Sequence, residues 1–85
     1  MKICIVSFTK KGYELSCDIA YKLEKSAYEV EFFTKSSRLS DENIKNSTDE
    51  NYRNTGYISQ NISDWTAAQM SEKKAMIFIG ACGLG

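Results

Sequence analysis

Eighty-five residues with eleven basic and eleven acidic side chains make one small domain of zero formal charge, and the signs also cancel locally, with five of each in residues 1–34 and four of each in residues 35–56. That balance leaves no basic stripe for nucleic acid or for an anionic membrane surface. No apolar run approaches the ~18–20 residues that cross a bilayer, and the apolar run after Lys2 is too short for a secretion signal.

Cysteine and histidine usage narrows the chemistry. Cys4, Cys17 and Cys82 are odd in number and show no CxxC spacing, so neither a disulfide framework nor a zinc knuckle is expected, and the setting reads as reducing and cytoplasmic. Histidine is absent, which removes the commonest metal ligand and general base from these residues.

In chain order, Ile3-Cys4-Ile5-Val6 is a short β-rich apolar run, and residues 2–8 read as a strand buried on both faces. Ser7-Phe8-Thr9-Lys10-Lys11-Gly12 forms the turn after it. Leu15, Ile19 and Leu23 recur at helical spacing, with Cys17 and Ala20 beside them, so an amphipathic helix is expected from about Tyr13 to Lys25. Thr9 can cap it if it starts earlier, and Lys22 and Lys25 suit its negative end. Tyr28 to Thr34 alternates and then turns apolar, a second strand more exposed than the first.

Residues 35–56 break the rhythm. Only Leu39, Ile44 and Tyr52 could reach a core, so this stretch reads as a flexible polar loop, either a tolerated insertion or a cover over a site. Helical spacing returns with Ile58, Ile62 and Trp65, capped by Asn61 or Ser63. Trp65 is the expected apolar anchor against the sheet, with ligand stacking as the alternative. After the polar turn Ser71-Glu72-Lys73-Lys74, Ala75-Met76-Ile77-Phe78-Ile79 reads as a third strand buried on both faces.

These elements predict a three-layer α/β domain with a flavodoxin- or Rossmann-like parallel sheet in strand order 2-1-3. The chain ends inside the turn after the third strand, so residues 1–85 read as a single domain cut from the front of a longer protein. An uncovered third-strand face is then expected to favour self-association.

Parallel, adjacent first and third strands would set Ser7–Gly12 and Gly80–Gly85 across one crevice. The glycines Gly80, Gly83 and Gly85 follow G-x-x-G-x-G, which matches neither the dinucleotide fingerprint nor the Walker pattern. Backbone amides at such a turn favour an anion or an oxyanion, and Lys10 and Lys11 would add positive charge. The candidate substrate-binding residues are therefore Ser7, Thr9, Lys10, Lys11, Gly80, Ala81, Cys82 and Gly83. Cys82 reads either as a small packing residue or as a nucleophile activated by a helix start. Ser7 and Thr9 resemble part of the phosphate loop of flavodoxins, although Lys10-Lys11 interrupts it.

The opening Met1 to Gly12, the helix carrying Trp65 and above all Ala75-Met76-Ile77-Phe78-Ile79-Gly80-Ala81-Cys82-Gly83 resemble the N-terminal region of the CbiG family, the cobalt-precorrin 5A hydrolases of anaerobic cobalamin (vitamin B12) biosynthesis. The resemblance covers about the first quarter of such a protein and skips the polar loop. It implies hydrolytic opening of the ring lactone of a cobalt tetrapyrrole with release of acetaldehyde. Cobalt would arrive within the cobalt-precorrin substrate, so no protein-held metal or other cofactor is implied. It supplies no catalytic residue for this region, and the residues alone name none. The isolated piece is expected to be inactive. The alternatives are a scaffold or interaction domain of the same protein and, more remotely, a flavodoxin-like binding module.

Overall fold

The computed structural model describes residues 1–46 and 53–80. The elements are β1 (Lys2–Ser7), α1 (Lys10–Lys25), β2 (Glu29–Thr34), a 3-10 turn (Ser37–Leu39), α2 (Asp41–Asn46), β3 (Thr55–Tyr57), α3 (Ile62–Ser71) and β4 (Ala75–Ile79). All strand pairs are parallel, and the sheet order is β3-β2-β1-β4.

The α/β class and the parallel sheet agree with the sequence reading. The order 2-1-3 needs correction: it misses β3, which pairs Phe32, Phe33 and Thr34 with Thr55, Gly56 and Tyr57 on the outer side of β2. The three long strands do lie as β2-β1-β4, and with the added edge the order is that of the dinucleotide-binding sheet rather than of flavodoxin. Three residues of mixed polarity, Thr-Gly-Tyr, carry too little period-2 signal to stand out in sequence.

Right-handed crossovers dictate which face each helix covers. The chain steps one way from β1 through β2 to β3 and then returns across the sheet to β4. The segments between β1 and β3 therefore share one face, and α3 takes the other. The core divides accordingly. Ile3, Ile5 and Phe32 pack with Tyr13 and Ala20 of α1 and with Leu39 and Ile44 on one face. Cys4 and Val6 pack with Ile58 and Trp65 on the other. Alternation along β1 sends odd residues to α1 and even residues to α3, which gives the expected three layers.

Several local expectations shift. α1 begins at Lys10, because Thr9 lies in the extended region and its Oγ1 accepts from Gly12 N at 3.0 Å. Its buried side is Gly12, Tyr13, Ser16 and Ala20, and Leu15 is 52% exposed instead of leading the apolar stripe. Ile58 precedes α3 and is buried there, its N–H donating to Thr34 O at 2.8 Å. Asn61 caps α3 through its side-chain oxygen, which accepts from Ser63 N and Asp64 N.

Residues 35–56 are not one loop, since they supply the 3-10 turn, α2 and the start of β3, with Leu39 and Ile44 buried. Tyr52 lies outside the described residues. Among the described residues β4 stands at the sheet edge, and it is not buried on both faces, since Phe78 is 46% exposed.

Candidate functional site

At the carboxyl edge of β1 and β4 the structure brings the segment after Ser7 against Gly80; the rest of the expected crevice, residues 81–85, lies outside the described residues. Register pairs Val6 with Phe78 and Ser7 with Ile79, and Phe8 N donates to Ile79 O at 3.2 Å. The two chain exits therefore leave the sheet side by side. This is also where the winding direction reverses, the position at which open α/β sheets take ligands.

Two glycines let the exits approach closely. Gly80 sits at φ +71, a left-handed conformation that glycine adopts without strain. A Cβ there would stand 2.7 Å from Thr9 Oγ1 and 3.4 Å from Gly12 Cα. A Cβ on Gly12 would meet Ile79 O and Thr9 Oγ1, each at 3.1 Å. The first turn of α1 thus rests backbone to backbone on the end of β4. Gly12 is not among the candidate residues, because the neighbours that need it small, Ile79 and Gly80, are remote in sequence.

Thr9 holds the turn from inside. Its Oγ1 takes Gly12 N, and its carbonyl takes Tyr13 N at 2.8 Å. Lys10 and Lys11 are exposed in the first turn of α1, which contains no acidic residue. Cations at the positive end of a helix are unfavourable by roughly 0.3–1 kcal/mol each. The uncompensated positive field at the rim is what a bound anion would neutralise.

Ser7 differs from the other described candidates, Thr9, Lys10, Lys11 and Gly80, because it is only 1% exposed. It lies beneath the rim and joins it to β2, since its carbonyl accepts from Thr34 Oγ1 at 2.6 Å. Thr34 Oγ1 in turn accepts from Ser36 N at 3.0 Å. Lys35 Nζ donates to Ile58 O at 3.1 Å and also to Gln60 O. These bonds fix the exit of β2 and the approach to α3, and no sequence pattern announces them. Ala81, Cys82 and Gly83 lie outside the described residues.

A second polar cluster stands at the opposite end of the sheet. Cys4 Sγ donates to Glu31 Oε1 at 3.6 Å, and Lys74 Nζ bonds Glu31 at 3.2 Å and Glu72 at 3.1 Å. Burial, reinforced by the Glu31 charge, pushes the Cys4 thiol up to about 11. Hydrogen bonds to Glu72 and Glu31 raise Lys74 above its ordinary value. A thiol held protonated is a packing group and not a nucleophile. Among the described residues no group of Cys, Asp and Glu could hold a metal ion, and no helix is long and apolar enough to cross a membrane.

Comparison with protein-family models, with curated proteins and with solved structures gave no match to this chain.

Proposed function

We propose that these residues form the N-terminal domain of a hydrolase of the cobalt-precorrin 5A type, and that the β1–β4 crevice receives carboxylates of the tetrapyrrole substrate. One observation carries the reading. Two of the three segments on which the family resemblance rests, the opening Met1 to Gly12 and the stretch from Ala75, lie at opposite ends of the sequence, yet they meet through Thr9, Gly12 and Gly80. A crevice edged by Lys10, Lys11 and the amides that open α1 suits a ligand bearing many carboxylates.

In the proposed reaction water adds to the lactone carbonyl, the acyl–oxygen bond breaks, and the ring opens to a carboxylate and an alcohol. The freed alcohol then loses its proton and collapses to acetaldehyde as the carbon–carbon bond to the macrocycle breaks, the electron pair staying on the macrocycle, where it takes up a proton. The residues of this domain bind and orient: Lys10 and Lys11 neutralise peripheral carboxylates beside the first turn of α1. The base that activates water is assigned to no residue of this domain.

The test uses the polypeptide of the whole reading frame with cobalt-precorrin 5A and quantifies acetaldehyde. Release is expected, and its absence from an intact, folded protein refutes the activity. Replacing Lys10 and Lys11 together by Gln is expected to raise KM about three- to tenfold at unchanged melting temperature, the range for losing two exposed charge contacts. A second reading, a scaffold or interaction domain, is favoured by the exposed Phe78 on the edge strand. Unchanged kinetics in the double-lysine variant would select it.

A further inference from the structure

The last peptide unit of β1 is held on both sides. Its carbonyl, Ser7 O, accepts from Thr34 Oγ1 at 2.6 Å on the β2 side, and its amide, Phe8 N, donates to Ile79 O at 3.2 Å on the β4 side. A trans peptide is planar with its C=O and N–H on opposite edges, so these two bonds fix its rotation. The segment that leaves it carries Thr9, Lys10 and Lys11 into the first turn of α1.

The two holds differ in kind. The β4 bond joins main chain to main chain, and almost any sequence makes it. The β2 bond needs a particular side chain. Register sets Thr34 beside Ser7, and Thr34 is 0% exposed. A parallel ladder supplies main-chain amides to such carbonyls, and here, at its end, a hydroxyl bonds instead.

A hydroxyl has one hydrogen to give. Thr34 Oγ1 accepts from Ser36 N at 3.0 Å, which turns that hydrogen towards Ser7 O. The bonds run one way, from Ser36 N–H through the Thr34 hydroxyl to the Ser7 carbonyl, and each polarises the next. Ser36 is placed in turn, because its carbonyl accepts from Leu39 N at 3.0 Å and Leu39 is buried. The bend after β2 is thereby tied to the rim after β1 by residues 27 positions apart.

We infer that Thr34 is a positioning residue, whose hydroxyl orients the Ser7–Phe8 peptide and so sets Lys10, Lys11 and the first amides of α1 for an anionic ligand. The inference rests on the reading that this rim receives carboxylates. Burial keeps Thr34 itself from touching the ligand. Valine in its place keeps the shape and leaves Ser7 O without that donor. A buried carbonyl that loses its donor gains by turning towards water, here at the rim. Turned so, it releases Phe8 N from Ile79 O and presents partial negative charge where the anion binds.

Citrate, a tricarboxylate, is the probe, titrated into the 85-residue chain and followed at the Lys10 and Lys11 amides by NMR. The parent amides should shift, with a midpoint that rises about three- to tenfold in Thr34→Val and stays within about twofold in Thr34→Ser. Thr34→Cys, whose thiol is a weak donor, should fall between them and serves if valine unfolds the chain. Without citrate, hydrogen exchange in Thr34→Val should speed about five- to tenfold more at Phe8 than at Ile5, which reports global stability from mid-strand. A role in stability alone would speed both equally and leave the citrate midpoint in place. Parent amides that ignore citrate, a midpoint unmoved in the folded valine and cysteine variants, Thr34→Ser no better than Thr34→Val, or equal acceleration at Phe8 and Ile5 each overturns the inference. None of these readouts uses acetaldehyde release, so a failed hydrolase assay and a failed positioning role are separate results.

Discussion

Replacing Gly80 by alanine tests the glycine contact that joins the ends of β1 and β4. Gly80 is at φ +71, and placing a residue with a Cβ there costs about 1–2 kcal/mol from the left-handed backbone alone. The new Cβ would also stand 2.7 Å from Thr9 Oγ1, the atom that caps α1 by accepting from Gly12 N at 3.0 Å. Thr9 can relieve the clash only by giving up the cap, worth about 1 kcal/mol. The total is about 2–3 kcal/mol, and with a urea slope near 1 kcal/mol/M the midpoint falls by about 2–3 M. The assay is equilibrium urea unfolding followed by circular dichroism at 25 °C. Thr9→Ala separates the contributions, because it loses the same cap and removes the atom that clashes. The double variant should then cost about 1 kcal/mol less than the sum of the singles. Strict additivity, or a Gly80→Ala loss under about 0.5 kcal/mol, would show that the cap and the glycine are not coupled.

Trp65 is buried and packs edge-on to Phe33 with ring centroids 4.9 Å apart, so Trp65→Ala should cost about 3–5 kcal/mol in urea titrations, while Trp65→Phe should retain most of that stability. Arg53 forks Glu24 through two 2.9 Å bonds, and the hydrogen bond holds the Glu24 carboxyl below its ordinary 4.5. A lowered folded-state pKa adds stability above the unfolded value, lost as pH falls through the folded one. The advantage of the parent over Glu24→Gln should therefore be present at pH 7, at most about 0.5 kcal/mol for so exposed a pair, and should shrink only once pH falls below the ordinary 4.5. The raised Cys4 value works in the other direction. Its contribution is complete below 9.0 and disappears as pH rises towards about 11, so alkaline unfolding midpoints should fall more steeply in the parent than in Cys4→Ala. At pH 8 a thiol reagent should modify Cys4 only in denaturant.

The sequence made the three long strands legible because each is a compact apolar or alternating run, and the two main helices because Thr9, Asn61 and Trp65 mark them. The meeting of Thr9, Gly12 and Gly80 followed from parallel topology, since adjacent parallel strands must open their loops on one edge. The missed features rest on contacts distant in sequence. β3 has too few residues to show a period, and what holds it is remote: Arg53 N donates to the Tyr13 hydroxyl at 2.8 Å and Thr55 N to Asp41. Leu15 looked like core because it falls on the helical repeat. α1 is rotated so that Gly12 and Ser16 face the sheet, a choice set by the close approach to Gly80. The order 2-1-3 failed for the same reason that β3 escaped notice, since a strand that is not seen cannot be placed.

The position of β1 has a consequence for how the chain folds. Ile3 pairs with Val30 on one flank, 27 residues away, and with Ala75 on the other, 72 residues away. The first flank can zip as soon as β2 exists, because the helix between them shortens the search. The second must wait for a much larger loop to close, and such distant pairings slow folding. During synthesis, when domains fold from the N-terminus onward, the strand made first keeps one side open until nearly the last described residue has emerged. Chaperone dependence and aggregation of nascent chains should therefore concentrate on that waiting flank.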